Sequence, residues 1–293
     1  MILLILTIIL TSYLTISFKV LGRLNIPALQ AIVINYFTCV ITGSLMNRSI
    51  SLVDSVKQPW FLWAIGMGLI FVLLFNIIAF TAQRIGVAVA SVANKLSLVI
   101  PFLFSIYLYD EKLSALKIAG IVLALVAVVF TCWPHKDIKG SSIKSAHGLL
   151  LLVPLILFLG SGMLDTLVKY VEQRFLNHLN NDHYFITAFA MAGTSGGLIM
   201  ILQLVTGREK FDKRAIPAGI LIGVPNYFSL WTLVKVLSAN QGNSLAIFPI
   251  INIGIVLFST MVAYFLFREK LSKLNWMGIA LAIASILMLS GIN

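Results

Sequence analysis

Runs of roughly 20 predominantly apolar residues follow one another along this chain, and that feature decides the solvent it folds in. A helix needs about this length to cross the hydrocarbon layer, where no water answers a backbone N–H or C=O, so each run must close its hydrogen bonds within itself. Polar, glycine and proline punctuation bounds the runs at about 2–20, 28–46, 60–83, 86–109, 114–132, 148–171, 184–206, 216–238, 243–266 and 272–291. The expected fold is an all-α membrane protein of about ten transmembrane helices, with no soluble domain left over. The opening run, "MILLILTIILTSYLTISFKVLGR", lacks the basic n-region and cleavage site of a secretory signal and is read as the first span.

Composition agrees: 60% of residues are hydrophobic and 11% charged, against about a quarter charged in soluble domains. The net charge of +11 does not indicate nucleic acid, because the basic residues sit in short connections between apolar runs and form neither a stripe nor a tail. Cys39 and Cys132 fall on different predicted helices and are read as apolar packing residues. The histidines fall in polar connections, and "HLNNDH" (178–183) is too sparse a donor set for a metal site. No Walker loop, Ser/His/Asp set or paired-carboxylate site is present. The expectation is therefore no cofactor, no metal and no catalytic residue.

The second half of the chain repeats the first. "YDEKLSALKIAGIVLALVAVV" (109–129) aligns with "FREKLSKLNWMGIALAIASIL" (267–287), with Glu269 standing 158 positions after Glu111. Without a gap, the same offset pairs Gln83 with Gln241, Asn94 with Asn252, Lys112 with Lys270, Ser114 with Ser272 and Gly120 with Gly278. Shared apolarity matches Leu to Leu; it does not match Gln, Asn, Glu, Lys and Ser in register. The expected units are residues 1–133 and 148–293, joined by 134–147. Five helices per unit, an odd number, would make the units enter the membrane in opposite senses, as inverted repeats.

The elements "LYDEKLSALKIAG" (108–120), "LFREKLSKLNWMG" (266–278), "IGVPNYFSLWTLVKVLS" (222–238) and "FPIINIGIVLFST" (248–260) resemble the EamA-type repeat of the drug/metabolite transporter superfamily over nearly the whole chain. The resemblance implies ten helices in two inverted halves, a central cavity, and carriage of amino acids, nucleotide sugars, phosphosugars or other metabolites. The chain departs from the usual pattern at its end, "LSGIN", where many members carry a basic tail. Loops following odd-numbered helices hold about twice the Lys and Arg of the other set, which at face value places both termini outside the cytoplasm. The resemblance implies both inside, and on that basis the termini are assigned to the cytoplasmic side of a multi-pass cell-membrane protein.

Lys95, in "ASVANKLSLVIP", lies about 14 Å from the Gly86 end of its span, too deep to snorkel, so it must face a wet cavity or a partner anion. Asn94 recurs as Asn252 while Ile253 replaces Lys95, which makes the lysine particular to one half. A compact cation suits a carboxylate, phosphate or sulfonate; the alternative is a lysine that only locks two helices together through a buried carboxylate. Pro101 cannot donate to the Ser97 carbonyl and is expected to break the helix and free that acceptor, with similar breaks at Pro225 and Pro249. Asp165 is a candidate coupling-ion site or partner of Lys95, or it pairs with Lys169 at i+4. Asn76, Asn226, Tyr227, Trp231, Asn252 and Asn94 complete the candidate substrate-binding set, as cavity lining or interhelix bonds, with Asn35 and Tyr36 at similar depth. The Glu111–Ser114 and Glu269–Ser272 turns are read as helix caps.

The function expected is a secondary transporter moving a small polar metabolite, amino-acid-like or otherwise anionic, by alternating access, with the solute and the lipid bilayer as partners, as a monomer or homodimer. The rivals are a membrane-embedded enzyme acting on a lipid-linked substrate and a non-transporting sensor or scaffold.

Overall fold

The computed structural model describes residues 2–47, 52–109, 115–133, 144–176, 180–239 and 244–290. Regular structure among them is helical: α1 (Ile2–Arg23), α2 (Ala28–Asn47), α3 (Leu52–Ser55), α4 (Phe61–Arg84), α5 (Val87–Leu96), α6 (Val99–Tyr109), α7 (Ala115–Cys132), α8 (Lys144–Phe175), α9 (Asn181–Val205), α10 (Ala215–Ala239), α11 (Ser244–Phe265) and α12 (Lys273–Ser290). Eight segments are long and apolar enough to cross a membrane, α5 with α6 to Phe104 counting as one, and Pro249–Phe265 and Lys273–Leu289 are shorter apolar helices. The chain has the make-up of a multi-pass membrane protein.

The predicted spans are helical, with three departures. The span 86–109 is divided at Ser97 and Leu98, the turn α3 precedes α4, and α8 starts at Lys144, inside the connection expected over 134–147. His183, expected in a connection, lies in the first turn of α9. The Glu111–Ser114 turn lies outside the described residues.

The distribution of side chains is that of a body solvated by lipid. Leu62, Leu198 and Val205 face outward, while Gln30, Asn35, Thr81 and Ser285 are fully buried. In hydrocarbon an outward leucine costs nothing and an outward asparagine loses its hydrogen bonds, so polarity moves inward. Both cysteines are buried and free, as packing residues should be.

Without a hydrophobic force between helices, close approach must come from small residues. A Cβ on Gly223 of α10 would stand 2.5 Å from Thr38 Cβ of α2, and one on Gly68 of α4 would stand 2.7 Å from the Ala192 backbone nitrogen of α9. The run 192–197 behaves as expected, with Gly196 against Val33 and Val72. Between these contacts sits the main core, where Tyr36 stacks on Phe71 and Phe189 and donates to the Phe71 carbonyl at 2.8 Å.

The helices α7 and α12 pair along their length. Gly278 abuts Thr131, and Ser285 donates to the Gly120 carbonyl at 2.8 Å. Ser272 caps α12 reciprocally with Asn275: its hydroxyl accepts from Asn275 N–H at 3.1 Å, and its own N–H donates to Asn275 Oδ1 at 2.9 Å. The Asn275 amide then lies within reach of the Phe130, Thr131 and Trp133 carbonyls at 3.2, 2.8 and 3.1 Å, so its two N–H donors answer acceptors at and just beyond the end of α7.

At the end of the bundle where α1 finishes, the α11–α12 turn reaches across to α5. Arg268 takes the left-handed conformation (φ 53°) while Glu269 N–H donates back to the Ala263 carbonyl at 3.0 Å, which turns the Glu269 side chain inward. Its carboxylate accepts from Val87 N–H at 2.9 Å and from Ala88 N–H at 3.5 Å, and lies 3.4 Å from Lys19 Nζ. An anion at the positive end of α5 is favourable, and Gly86 (φ 152°) leaves room for it: a Cβ there would stand 2.8 Å from Glu269 Oε2. Nearby, buried Gln30 accepts from Asp212 N–H and donates to the Lys210 carbonyl, both at 2.9 Å, docking the α9–α10 loop. In that loop the Arg214 guanidinium hydrogen-bonds Asp212 and holds its carboxyl below the usual range.

Asn275→Leu should destabilise the protein by about 2 kcal/mol, because it deletes the side-chain half of one helix cap and leaves the Thr131 and Trp133 carbonyls at the end of another helix without their donor. A fall in the thermal unfolding midpoint in detergent reads this out; an unchanged midpoint would mean the α7–α12 pair does not need the cap.

Candidate functional site

The site begins at the interruption between α5 and α6. Pro101 has no N–H for the Ser97 carbonyl, and the expected break is there. The expectation that the carbonyl is left free is corrected: Ile100 N–H takes it at 2.9 Å in a tighter three-residue turn. What the break turns out is the Ser97 hydroxyl. Its single proton has two acceptors in reach, the Asn94 carbonyl and Asp165 Oδ2, the latter at 3.4 Å.

Asp165 comes from α8, which approaches α6 closely because Gly162 packs directly against Ile100. Lys95 and Asp165 attract one another across the α5–α8 contact, with no direct ion pair joining them among the described residues. Each is half-buried. Lys95 lies about 12 Å along its helix from Val87, and Asp165 stands near the middle of the span Leu152–Phe175, so the two charges meet at depth. Asp165 has the Lys95 charge and the Ser97 hydroxyl beside it, while Lys169, four positions on, is exposed and near Glu172.

Two residues that the sequence reading missed adjoin this pair. Ser91 and Ser161 lie one turn before Lys95 and Asp165, on the same helix faces. Both hydroxyls are buried and have no hydrogen-bond partner among the described residues. The signal was a hydroxyl four positions ahead of each intramembrane charge.

The remaining candidates divide. Asn226 is buried and donates to Asn35 Oδ1 at 3.1 Å, and the Cys39 thiol donates to the Gly223 carbonyl at 3.3 Å, so this group clamps α2 to α10. Tyr227 is buried in the main core beside Phe228. Asn76 donates to the Val72 carbonyl of its own helix at 2.8 Å. Trp231 is half-buried, with Lys235 Nζ 5.6 Å from its ring centroid. Asn252 is buried on α11, which packs on α5, and Asn94 is half-buried. The breaks expected at Pro225 and Pro249 are corrected, since α10 and α11 run through them without interruption. At Pro225 the reason is visible: the Leu221 carbonyl, which the proline leaves without its helical donor, accepts from the Tyr13 hydroxyl at 3.3 Å.

No family model matches the chain. It is 27% identical over 279 residues to an uncharacterized protein of Haemophilus influenzae, covering 92% of this chain and 91% of that one. A crystal structure shares the fold with a TM-score of 0.61 at 16% identity, over 98% of this chain and 94% of the other.

Removing one member of the pair leaves the other as an uncompensated charge at depth, at a cost of about 3 kcal/mol. Lys95→Met and Asp165→Asn should each lower the unfolding midpoint by more than the double substitution does. Strict additivity of the two shifts would mean the groups do not interact.

Proposed function

We propose that the protein is a secondary transporter of the drug/metabolite transporter superfamily, built as ten spans in two inverted repeats, which moves a small polar metabolite, amino-acid-like or otherwise anionic, across the cell membrane by alternating access. The observation that carries this reading is the Lys95–Asp165 pair, held at depth beside a broken helix. Discontinuous helices and intramembrane charges at mid-depth are the means by which carriers hold polar solutes.

The inverted repeat is supported by register and packing. Among the described residues, α7 (Ala115–Cys132) and α12 (Lys273–Ser290) cover stretches that the 158-residue offset superposes. Exchanging the halves turns the α2–α10 contact into the α9–α4 contact, and the contact of α1 with α11 into that of α8 with α5 and α6. The pairs α7–α12, α2–α9 and α5–α11 map onto themselves, as elements on a two-fold relation do. With α3 as a surface turn and α5–α6 as one broken span, each half has five crossings.

In this reading Lys95 binds the anionic group of the solute in competition with Asp165. The Ser97, Ser91 and Ser161 hydroxyls supply further hydrogen bonds. A proton taken up by Asp165 releases Lys95 for the solute, so the two loads travel together and little net charge is moved. The Glu269 bonds close the end of the bundle where α1 finishes, with both termini on the cytoplasmic side.

Proteoliposome flux of anionic and amino-acid-like solutes tests the reading. Lys95→Met should slow uptake of a transported anion at least about tenfold while the protein remains folded. Asp165→Asn should abolish the response of uptake to an imposed pH gradient. Folded protein that carries no such solute would return the question to the enzyme and sensor readings.

A further inference from the structure

Between α11 and α12 an open groove of about 600 Å³ runs toward the end of the bundle where these helices meet. Its walls are Leu257, Met261, Tyr264, Trp276 and Ile279, and they are almost wholly apolar. One polar atom interrupts them: Thr260, 2% exposed, lines the groove, and its hydroxyl has no hydrogen-bond partner among the described residues.

The rim differs in chemistry from the walls. Tyr264 and Trp276 meet edge to face at 6.0 Å and are 47% and 44% exposed, the amphipathic pairing found where hydrocarbon gives way to headgroups. Immediately beyond them, in the short α11–α12 connection and the first residue of α12, Arg268, Lys270 and Lys273 are exposed. The acid of this stretch, Glu269, is turned inward onto Val87, Ala88 and Lys19 and neutralises nothing outside. The same carboxylate that caps α5 thus leaves a bare cluster of three cations above an apolar channel.

We propose that this groove holds one anionic glycerophospholipid of the surrounding bilayer, an acyl chain lying along α11 and α12 and the phosphate among Arg268, Lys270 and Lys273. A basic cluster at headgroup level attracts anionic lipid, and the groove below it supplies the contact that makes the attraction local. Charge also selects against a second copy of the chain. A two-fold interface sets a patch against itself, so two copies joined here would bring six cations together.

Detergent-purified full-length protein, titrated with phosphatidylglycerol or phosphatidylcholine and read by native mass spectrometry, tests the site without reference to transport. The expected result is one phosphatidylglycerol retained about tenfold more strongly than phosphatidylcholine. Lys270→Gln with Lys273→Gln should remove that preference, and Met261→Trp, at a half-exposed position, should displace the lipid by filling the groove with the basic cluster intact. Leu257→Phe fills the same groove should Met261→Trp fail to fold. Equal retention of the two lipids, or a preference that survives both the charge and the filling variants, would overturn the proposal. A dimer dissolved by the filling variant would do so as well, by giving the groove to a second copy.

Discussion

Hydrocarbon accepts no hydrogen bond, and the internal arrangement of this protein follows from that constraint. Its buried hydroxyls and amides are answered in two ways. Thr7, Thr38, Asn76, Thr81, Thr166 and Ser259 bond back to the carbonyl four residues earlier, which satisfies them at no cost to neighbouring helices. Tyr36, Asn226, Asn275 and Ser285 instead reach across to another helix and fix which helices are neighbours. Among the described residues the Ser91, Ser161, Thr131, Tyr184 and Thr260 hydroxyls do neither, and the first two stand beside Lys95 and Asp165. A solute entering there would meet donors that the fold has left uncommitted.

Much of the fold was legible in the sequence, because span length and punctuation are local properties. The break ahead of Pro101 was legible for the same reason, being one missing N–H. Pro225 shows where local reading fails: the same missing N–H leaves α10 unbroken, since Tyr13, more than two hundred positions away, answers the freed carbonyl. Asn226 reads alike as cavity lining or as an interhelix bond, and only Asn35 opposite it shows the bond. In the candidate site, Lys95 and Asp165 were identifiable by the cost of charge at depth. That they face each other rested on how α8 approaches the α5–α6 break, where Gly162 packs against Ile100.

The Glu269–Ser272 turn illustrates the same limit. Sequence read Glu269 and Ser272 as one local cap. Ser272 is local, closing α12 with Asn275, whereas Glu269 serves a helix 182 positions earlier. A residue inside a repeated turn can therefore bond to a helix far away in the chain rather than cap its own.

Helix α5 is short, ten residues from Val87 to Leu96, and it is held at both ends by groups that do not belong to it. Glu269 grips its first N–H groups, while near its last turn Lys95 and Ser97 face Asp165. A rod this short has no joint within it. A pull along its axis at the Lys95 end is delivered undiminished to the Glu269 bonds about 12 Å away, and loosening those bonds shifts the lysine in return. In the proposed carrier, occupancy at one end and closure at the other would be two readings of a single displacement, each biasing the other by the same free energy.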